Sequence, residues 1–185
     1  EGAGRVLGGD ADGLDLDSGA WTGALCATVR ERAEGLVPER FGDAPDRLCG
    51  RLRERRAALD GAPAALCHGD PRPENARRDP AGLLDWEAAV VGDPALDLVF
   101  AEEQYAGTPD VDATDRVRAA LREGYRERAG SLPAGLADRR PAYRAVTFCL
   151  LQVATFEYWA PRASGDAADL AAWVEEEFAA RLQAA

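Results

Sequence analysis

The sequence lacks several residue types, and each absence excludes a class of function. Its 185 residues contain no Lys, no Met and no Ile, and His68 is the only histidine. Without Lys, the chain cannot form a phosphate-binding loop that ends in Lys, a Schiff base with a cofactor, or a lysine general base. With a single His and no cysteines spaced as a C-x-x-C pair, the sequence does not favour a zinc site.

Positive charge is scarce relative to negative charge. The chain carries 22 basic residues, all of them Arg, and 33 acidic residues, so its net charge is −11 and its pI is near 4.6. This charge opposes binding to phosphate backbones and anionic lipids, and we expect no nucleic-acid or membrane partner. An acidic chain without Lys is typical of salt-rich cytoplasm, where counter-ions screen repulsion, and we expect a halophilic protein.

Long apolar runs are missing as well. No stretch approaches the length of a membrane span, and the N-terminus lacks the charged-then-apolar pattern of a secretory signal. The four cysteines lie among apolar residues, where free thiols behave as small hydrophobic side chains: Cys26, Cys49, Cys67 and Cys149. These features predict a cytoplasmic protein with reduced thiols.

Apolar residues recur at helical spacing over most of the chain, which predicts a predominantly α fold of the α+β class. Residues 1–18 are rich in Gly and Asp and predict a linker, so the folded domain is expected at 19–185. Helical patterns begin near Trp21, near Asp46 and after Pro94, and three more follow toward the C-terminus. Six helices around one small hairpin leave no room for a parallel sheet.

The predicted hairpin lies between residues 64 and 85. Two short apolar runs flank a polar stretch that contains three prolines, a pattern typical of strand, loop and strand. Arg77 and Arg78 stand where the first strand of the hairpin would be expected to carry apolar residues. We therefore expect a short hairpin from Asn75 to Asp85.

Residues 67–97 combine three short motifs. They are His68-Gly69-Asp70 with Asn75 five residues after the Asp, Asp85-Trp86-Glu87, and Gly92-Asp93-Pro94 with Asp97. Taken alone, each has a plainer interpretation, as a loop histidine, a set of turn residues or, for Trp86, a core side chain. Taken together they favour one site, because a carboxylate can orient an attacking hydroxyl and carboxylate and amide oxygens bind Mg²⁺.

In this order the motifs resemble the aminoglycoside phosphotransferase and choline kinase-like family, which has a protein-kinase-like fold. The first motif also matches the protein-kinase pattern H-R-D-L-x-x-x-N at His68, Asp70 and Asn75. The resemblance implies the C-terminal helical lobe of that fold, with a small β-hairpin carrying the catalytic and metal loops. It also implies transfer of the γ-phosphate of ATP, or of GTP, to a hydroxyl of a small molecule with Mg²⁺.

The resemblance implies a role for seven residues in this segment. Asp70 would orient or deprotonate the acceptor hydroxyl, and Arg72 would steady the transferring phosphate. The implied Mg²⁺ ligands are Asn75 and Asp85, and the implied supporting residues are His68 and Asp97, which brace the loop, and Asp93, which caps the helix after it.

The chain also departs from the family. Complete members carry an N-terminal lobe with a glycine-rich flap and a Lys, and this sequence has no Lys. Gly2 and Gly4 do not begin a phosphate loop, since Leu7 occupies the third glycine position of G-x-G-x-x-G. We expect a fragment that lacks the nucleotide lobe; the alternative is a catalytically inactive, kinase-like binding module.

The sequence says little about which small molecule accepts the phosphate. Four acidic residues could form a pocket for a cationic acceptor such as an amine, an aminosugar or choline, or they could lie on a solvated surface: Glu87, Glu102, Glu103 and Glu157.

Overall fold

A computed structural model describes residues 2–106 and 114–185. The chain is mostly helical with small antiparallel sheets, which confirms the predicted α+β class. Across these ranges, no helix is both long enough and apolar enough to cross a membrane. The helices are α1 (Trp21–Ala33), α2 (Ala44–Glu54), α3 (Arg56–Leu59), α4 (Ala95–Ala106), α5 (Thr114–Ala129), α6 (Leu136–Phe148), α7 (Phe156–Trp159) and α8 (Ala167–Ala184).

Six short strands form two sheets. They are β1 (Ala3–Asp10), β2 (Gly13–Gly19), β3 (Ala65–Cys67), β4 (Ala76–Arg78), β5 (Ala81–Leu83) and β6 (Val90–Gly92). The larger sheet has the order β2-β1-β6-β3, and every pair in it is antiparallel. The smaller sheet is the β4-β5 hairpin, which confirms the short hairpin predicted before Asp85.

The prediction of a linker at residues 1–18 is wrong, because this segment is the β1-β2 hairpin. Val6 pairs with Leu16 across the hairpin, and β1 also pairs with β6 on its other side. A Cβ on Gly4 would lie 2.6 Å from the carbonyl oxygen of Asp17. Gly4 therefore allows the backbones of β1 and β2 to approach closely.

The prediction of one small hairpin among the helices is wrong, because the described chain also has a four-stranded sheet, whose strand β6 was not expected. Leu66 in β3 pairs with Val91 in β6, not with the β4-β5 hairpin. The sheet therefore brings together the N-terminal hairpin, the strand before His68 and the strand before Asp93. The loop that begins with His68 and the loop that carries Asp93 therefore both start at the ends of strands of this sheet.

The hydrophobic core lies between the helices and one face of the sheet. Helix α4 packs against α5 and α6, α6 packs against α8, and α1 packs against α2. Five of these helices contribute side chains with no more than trace exposure: Val29, Leu48, Val99, Tyr143 and Val174. All four cysteines are free and buried, which confirms their predicted apolar surroundings.

Two acidic residues of α4 form an internal ion-pair network. Glu102 has no solvent exposure, and the side chain of Glu103 is 12% exposed, so neither belongs to a solvated surface or an open cationic pocket. Glu102 accepts hydrogen bonds from Arg122 Nε at 2.6 Å and Arg140 Nη2 at 2.9 Å. The arginines around the two carboxylates, drawn from α5, α6 and α8, are Arg118, Arg122, Arg140, Arg144 and Arg181.

The ion pairs of Glu103 predict a pH-dependent contribution to stability. Burial opposes its ionisation, but hydrogen bonds and charge from Arg181 and Arg144 lower the pKa of Glu103 below its ordinary value of 4.5. A lowered pKa stabilises the fold above the ordinary value, and this stabilisation is lost as the pH falls through the folded-state pKa. We expect Glu103→Gln to reduce the free energy of unfolding by about 1–3 kcal/mol near pH 7.

Urea unfolding of this variant and the parent protein, at about pH 7 and about pH 3.5, measures the effect. The difference should shrink at the lower pH, because the contribution of the Glu103 carboxylate declines below its ordinary pKa of 4.5 and is lost as the pH falls through the lowered folded-state pKa. Glu176→Gln on the exposed face of α8 serves as the matched control and should change little at either pH. An equal loss at both values would contradict the ion-pair explanation.

Candidate active site

The loop that follows β3 is anchored by a carboxylate of α4. The Oδ2 atom of Asp97 accepts a hydrogen bond from the backbone N–H of His68 at 2.6 Å, and Oδ1 accepts one from Gly69 at 2.9 Å. Burial raises the pKa of Asp97, and the two backbone hydrogen bonds oppose that shift. The first turn of α4 therefore fixes the start of the loop.

His68 is 1% exposed, and both of its ring nitrogens are engaged. Its Nδ1 atom accepts a hydrogen bond from the backbone N–H of Asp70 at 3.2 Å, and its Nε2 atom lies 2.7 Å from the carbonyl oxygen of Leu84. These partners assign the proton to Nε2. The ring thus connects the loop to the end of the β4-β5 hairpin.

Trp86 contacts the same histidine, with 4.7 Å between the ring centroids. The prediction that Trp86 is a core residue is wrong, because 45% of it is exposed. Its indole N–H donates to the carbonyl oxygen of Leu83, which holds the ring against the hairpin. Trp86 covers His68 from the solvent side.

Only glycine fits between His68 and Asp70. Gly69 has a φ of +79°, in the left-handed region that favours glycine. A Cβ at this position would also lie 2.1 Å from the carbonyl oxygen of Ala88. The loop therefore passes directly against the segment between Asp85 and β6.

The carboxylate of Asp70 has two unlike oxygens. Its Oδ2 atom lies 2.7 Å from Nη2 of Arg72 and 3.8 Å from Nη2 of Arg32. Its Oδ1 atom is buried and has no hydrogen-bond partner among the described residues. Leaving a buried carboxylate oxygen unpaired is costly, so this site has an unmet need for a hydrogen-bond donor.

Asn75 and Asp85 are brought to the same end of the hairpin. The side-chain amide of Asn75 donates to the carbonyl oxygen of Asp70 at 3.0 Å, and the backbone N–H of Leu84 donates to the carbonyl oxygen of Asn75 at 2.9 Å. Asp85 follows directly, exposed and in the left-handed conformation, with φ 62° and ψ 66°. The two predicted Mg²⁺ ligands therefore lie on the two chain segments that meet at the open end of the hairpin.

Their donor chemistry fits a shared cation. Mg²⁺ binds oxygen, and proteins usually offer it one or two carboxylates while phosphate oxygens and water complete the shell. Within residues 2–106 and 114–185, no cluster of three or more His, Cys, Asp or Glu side chains is arranged to hold a metal alone. Asn75 and Asp85 suit a cation that arrives with a phosphate group.

Asp93 lies in the core behind this loop. Its Oδ1 atom accepts a hydrogen bond from the backbone N–H of Ala95 at 3.0 Å, at the start of α4. Its Oδ2 atom accepts from Arg139 Nε and from the hydroxyl of Tyr143, both at 2.6 Å. The indole N–H of Trp21 donates to the same hydroxyl at 2.9 Å. Asp93 therefore joins α1, α4 and α6.

An open cavity of about 440 Å³ lies beside Asp70. Its walls come from β1, α1 and the segment after Asp85, and they carry charges of both signs. Arg5 of β1 pairs with Glu31 of α1 at 2.5 Å, so the N-terminal hairpin forms part of the wall. Glu87 is the predicted acceptor-pocket residue that does line this cavity.

A model of the phosphotransferase enzyme family matches residues 8–146, well over half of the chain. The chain belongs to this family. The match includes the whole segment 67–97 and confirms the resemblance inferred from its three motifs. No curated protein and no solved structure matches the chain.

The motifs of this phosphotransferase-family chain do not include Arg32, although Arg32 contacts Asp70 and lines the cavity. The sequence does contain a weak indication that Arg32 has a partner inside the fold. Arg32 stands seven residues after Leu25 and three after Val29, on the helix face whose other side chains are buried. An arginine on the apolar face of a helix requires a partner, and the partner here is the loop after β3, at Gly69 and Asp70.

Proposed function

We propose that this protein transfers the γ-phosphoryl group of ATP or GTP to a hydroxyl of a small molecule, with Mg²⁺, in a kinase-like C-terminal lobe. The observation that carries the proposal is Asp70 on the wall of an open cavity, held there by a loop braced on His68 and Asp97. Membership in a phosphotransferase family supports the same reaction class.

The loop can orient the acceptor. A hydroxyl in the cavity would donate its hydrogen bond to the carboxylate of Asp70, which directs the hydroxyl oxygen at the donor phosphate. A bond then forms between that oxygen and the γ-phosphorus, and the bond from this phosphorus to the β–γ bridging oxygen breaks. The hydroxyl proton passes to Asp70, and the nucleoside diphosphate leaves.

Positive charge near the transferred group comes from Arg72, whose guanidinium lies 2.7 Å from the Asp70 carboxylate. Asn75 and Asp85 would hold Mg²⁺ together with the nucleotide phosphates. When bound, Mg²⁺ neutralises charge that develops on the phosphate oxygens. Glu87 on the cavity wall supports an acceptor that carries a cationic group.

Calorimetric titration of Mg-ATP into the protein at high salt tests the proposal, followed by a screen of hydroxyl acceptors. We expect Asp85→Ala to weaken Mg-nucleotide binding by at least about 10-fold, since even substitutions outside the first ligand layer have effects of that size. Asp12→Ala, at an exposed site in the β1-β2 turn, removes one carboxylate without touching the loop and should bind like the parent.

Each outcome decides between the two functions considered. Binding that Asp85→Ala weakens, followed by phosphorylation of an acceptor, supports the phosphotransferase. Binding that Asp85→Ala leaves unchanged would contradict the metal role of Asp85. Absence of Mg-nucleotide binding by the parent protein would favour the kinase-like binding module.

A further inference from the structure

Arg32 approaches the catalytic loop from outside the motif segment. It lies in the last turn of α1, and its side chain is 23% exposed. The guanidinium carbon stands 5.7 Å above the centre of the Phe100 ring, on the α4 side. Burial lowers the pKa of Arg32, the charge of Asp70 opposes this shift, and the nearby Arg72 adds to it. Placing a largely buried cation near a second cation is costly unless a negative charge compensates for it, and here the Asp70 carboxylate pairs with both Arg32 and Arg72.

The contacts of Arg32 fall on two consecutive residues. Its Nη1 atom donates to the carbonyl oxygen of Gly69 at 2.6 Å, and its Nη2 atom lies 3.8 Å from Oδ2 of Asp70. A planar guanidinium presents these nitrogens in a fixed fork. One side chain therefore constrains the backbone just before Asp70 and the direction of the Asp70 carboxylate.

These contacts also distinguish the two oxygens of the Asp70 carboxylate. Both arginine contacts of Asp70, from Arg32 and from Arg72, fall on Oδ2. Oδ1 has no partner in the described part of the chain. Rotation of the carboxylate plane would weaken both ion pairs, so the two arginines fix the orientation of the Asp70 carboxylate.

We propose that Arg32 is a positioning residue of the phosphotransfer site, which holds the Asp70 carboxylate and the Gly69 carbonyl in the orientation that the acceptor hydroxyl requires. This inference rests on the proposed function. Arg32 acts through Asp70 and forms no bond to the transferred group. Its removal should slow the chemical step while the nucleotide and the acceptor still bind.

Steady-state kinetics of Arg32→Ala and Arg32→Lys test the proposal. We expect Arg32→Ala to lower kcat by about 100-fold, the effect of a small misplacement of a reacting group, with little change in either KM. Added guanidinium ion, at concentrations far below those that unfold proteins, should restore part of the lost turnover. Arg32→Lys keeps the charge but loses the fork, and its kcat should fall between those of the parent and Arg32→Ala.

Arg53→Ala, on the exposed face of α2, is the matched control and should keep the parent kcat. An unchanged kcat in Arg32→Ala would overturn the proposal. A loss of kcat that guanidinium does not recover would also overturn it. A purely structural role of Arg32 would reduce the amount of folded protein, and added guanidinium would not restore that.

A second measurement separates this inference from the proposed function. If the parent protein phosphorylates no acceptor, urea unfolding of Arg32→Ala, Asp70→Ala and the double variant still reports on the contact. Additive changes in the unfolding free energy would then overturn the proposal for Arg32. Non-additive changes would support the hold of Arg32 on Asp70 while the phosphotransferase function fails.

Discussion

Asp70→Asn should lower turnover by about 10²–10⁴-fold while leaving Mg-nucleotide binding close to that of the parent. The asparagine side chain has the same shape, and its oxygen can still accept from Arg72 and Arg32 at the position of Oδ2. Its NH₂ group then replaces the unpaired Oδ1. The amide is not a base, so the proton of the acceptor hydroxyl has no group to receive it.

Turnover assays and nucleotide titrations of the same preparation measure both parts of this expectation. Asp12→Asn, an exposed substitution of the same type, controls for the change in net charge and should behave as the parent. Turnover that survives Asp70→Asn would remove Asp70 from its assigned role. A simultaneous loss of nucleotide binding would indicate that the substitution has distorted the loop.

Asp93→Ala should reduce the free energy of unfolding by about 3–5 kcal/mol, the largest stability effect expected for this chain. Asp93 is 1% exposed and accepts from the guanidinium of Arg139, which is 7% exposed. Without the carboxylate, a buried cation loses its counter-charge. The hydroxyl of Tyr143 and the backbone N–H of Ala95 lose their hydrogen-bond acceptor as well.

Urea unfolding of Asp93→Ala, Arg139→Met and the double variant tests this explanation. The double variant should be more stable than the sum of the single effects predicts, because it leaves no uncompensated charge in the core. Asp169→Ala, near the exposed start of α8, is the matched control and should have a much smaller effect. Strictly additive effects would show that the ion pair is not the cause.

The loop that carries the first motif was predictable because the motif is short. His68, Asp70 and Asn75 lie within one short segment, and their spacing in the sequence is the spacing that one loop needs. Asp97 also lies close enough along the chain to belong to the same pattern, and the structure shows it accepting from the two backbone N–H groups at the start of the loop. A pattern confined to one short segment can be recognised in the sequence before any tertiary contact is known.

The remaining features depend on distant partners. The β1-β2 hairpin gains its place by pairing with β6, far along the chain, and its own side chains bury little surface, so apolar periodicity did not reveal it. The acidic side chain of Glu102 is hidden only because arginines of α5 and α6 surround it. A sequence gives the identity of each charged residue but not which opposite charge it will meet.

The pairing of β1 with β6 has a consequence for the colloidal behaviour of shortened forms of the protein. β6 is flanked by β1 on one side and β3 on the other, so it has no free edge in the described structure. Removal of the first strands would leave a row of unsatisfied N–H and C=O groups next to the apolar Val90 and Val91, a template for pairing between molecules. The glycine-rich N-terminal hairpin thus covers the edge of β6 through which two molecules could otherwise pair.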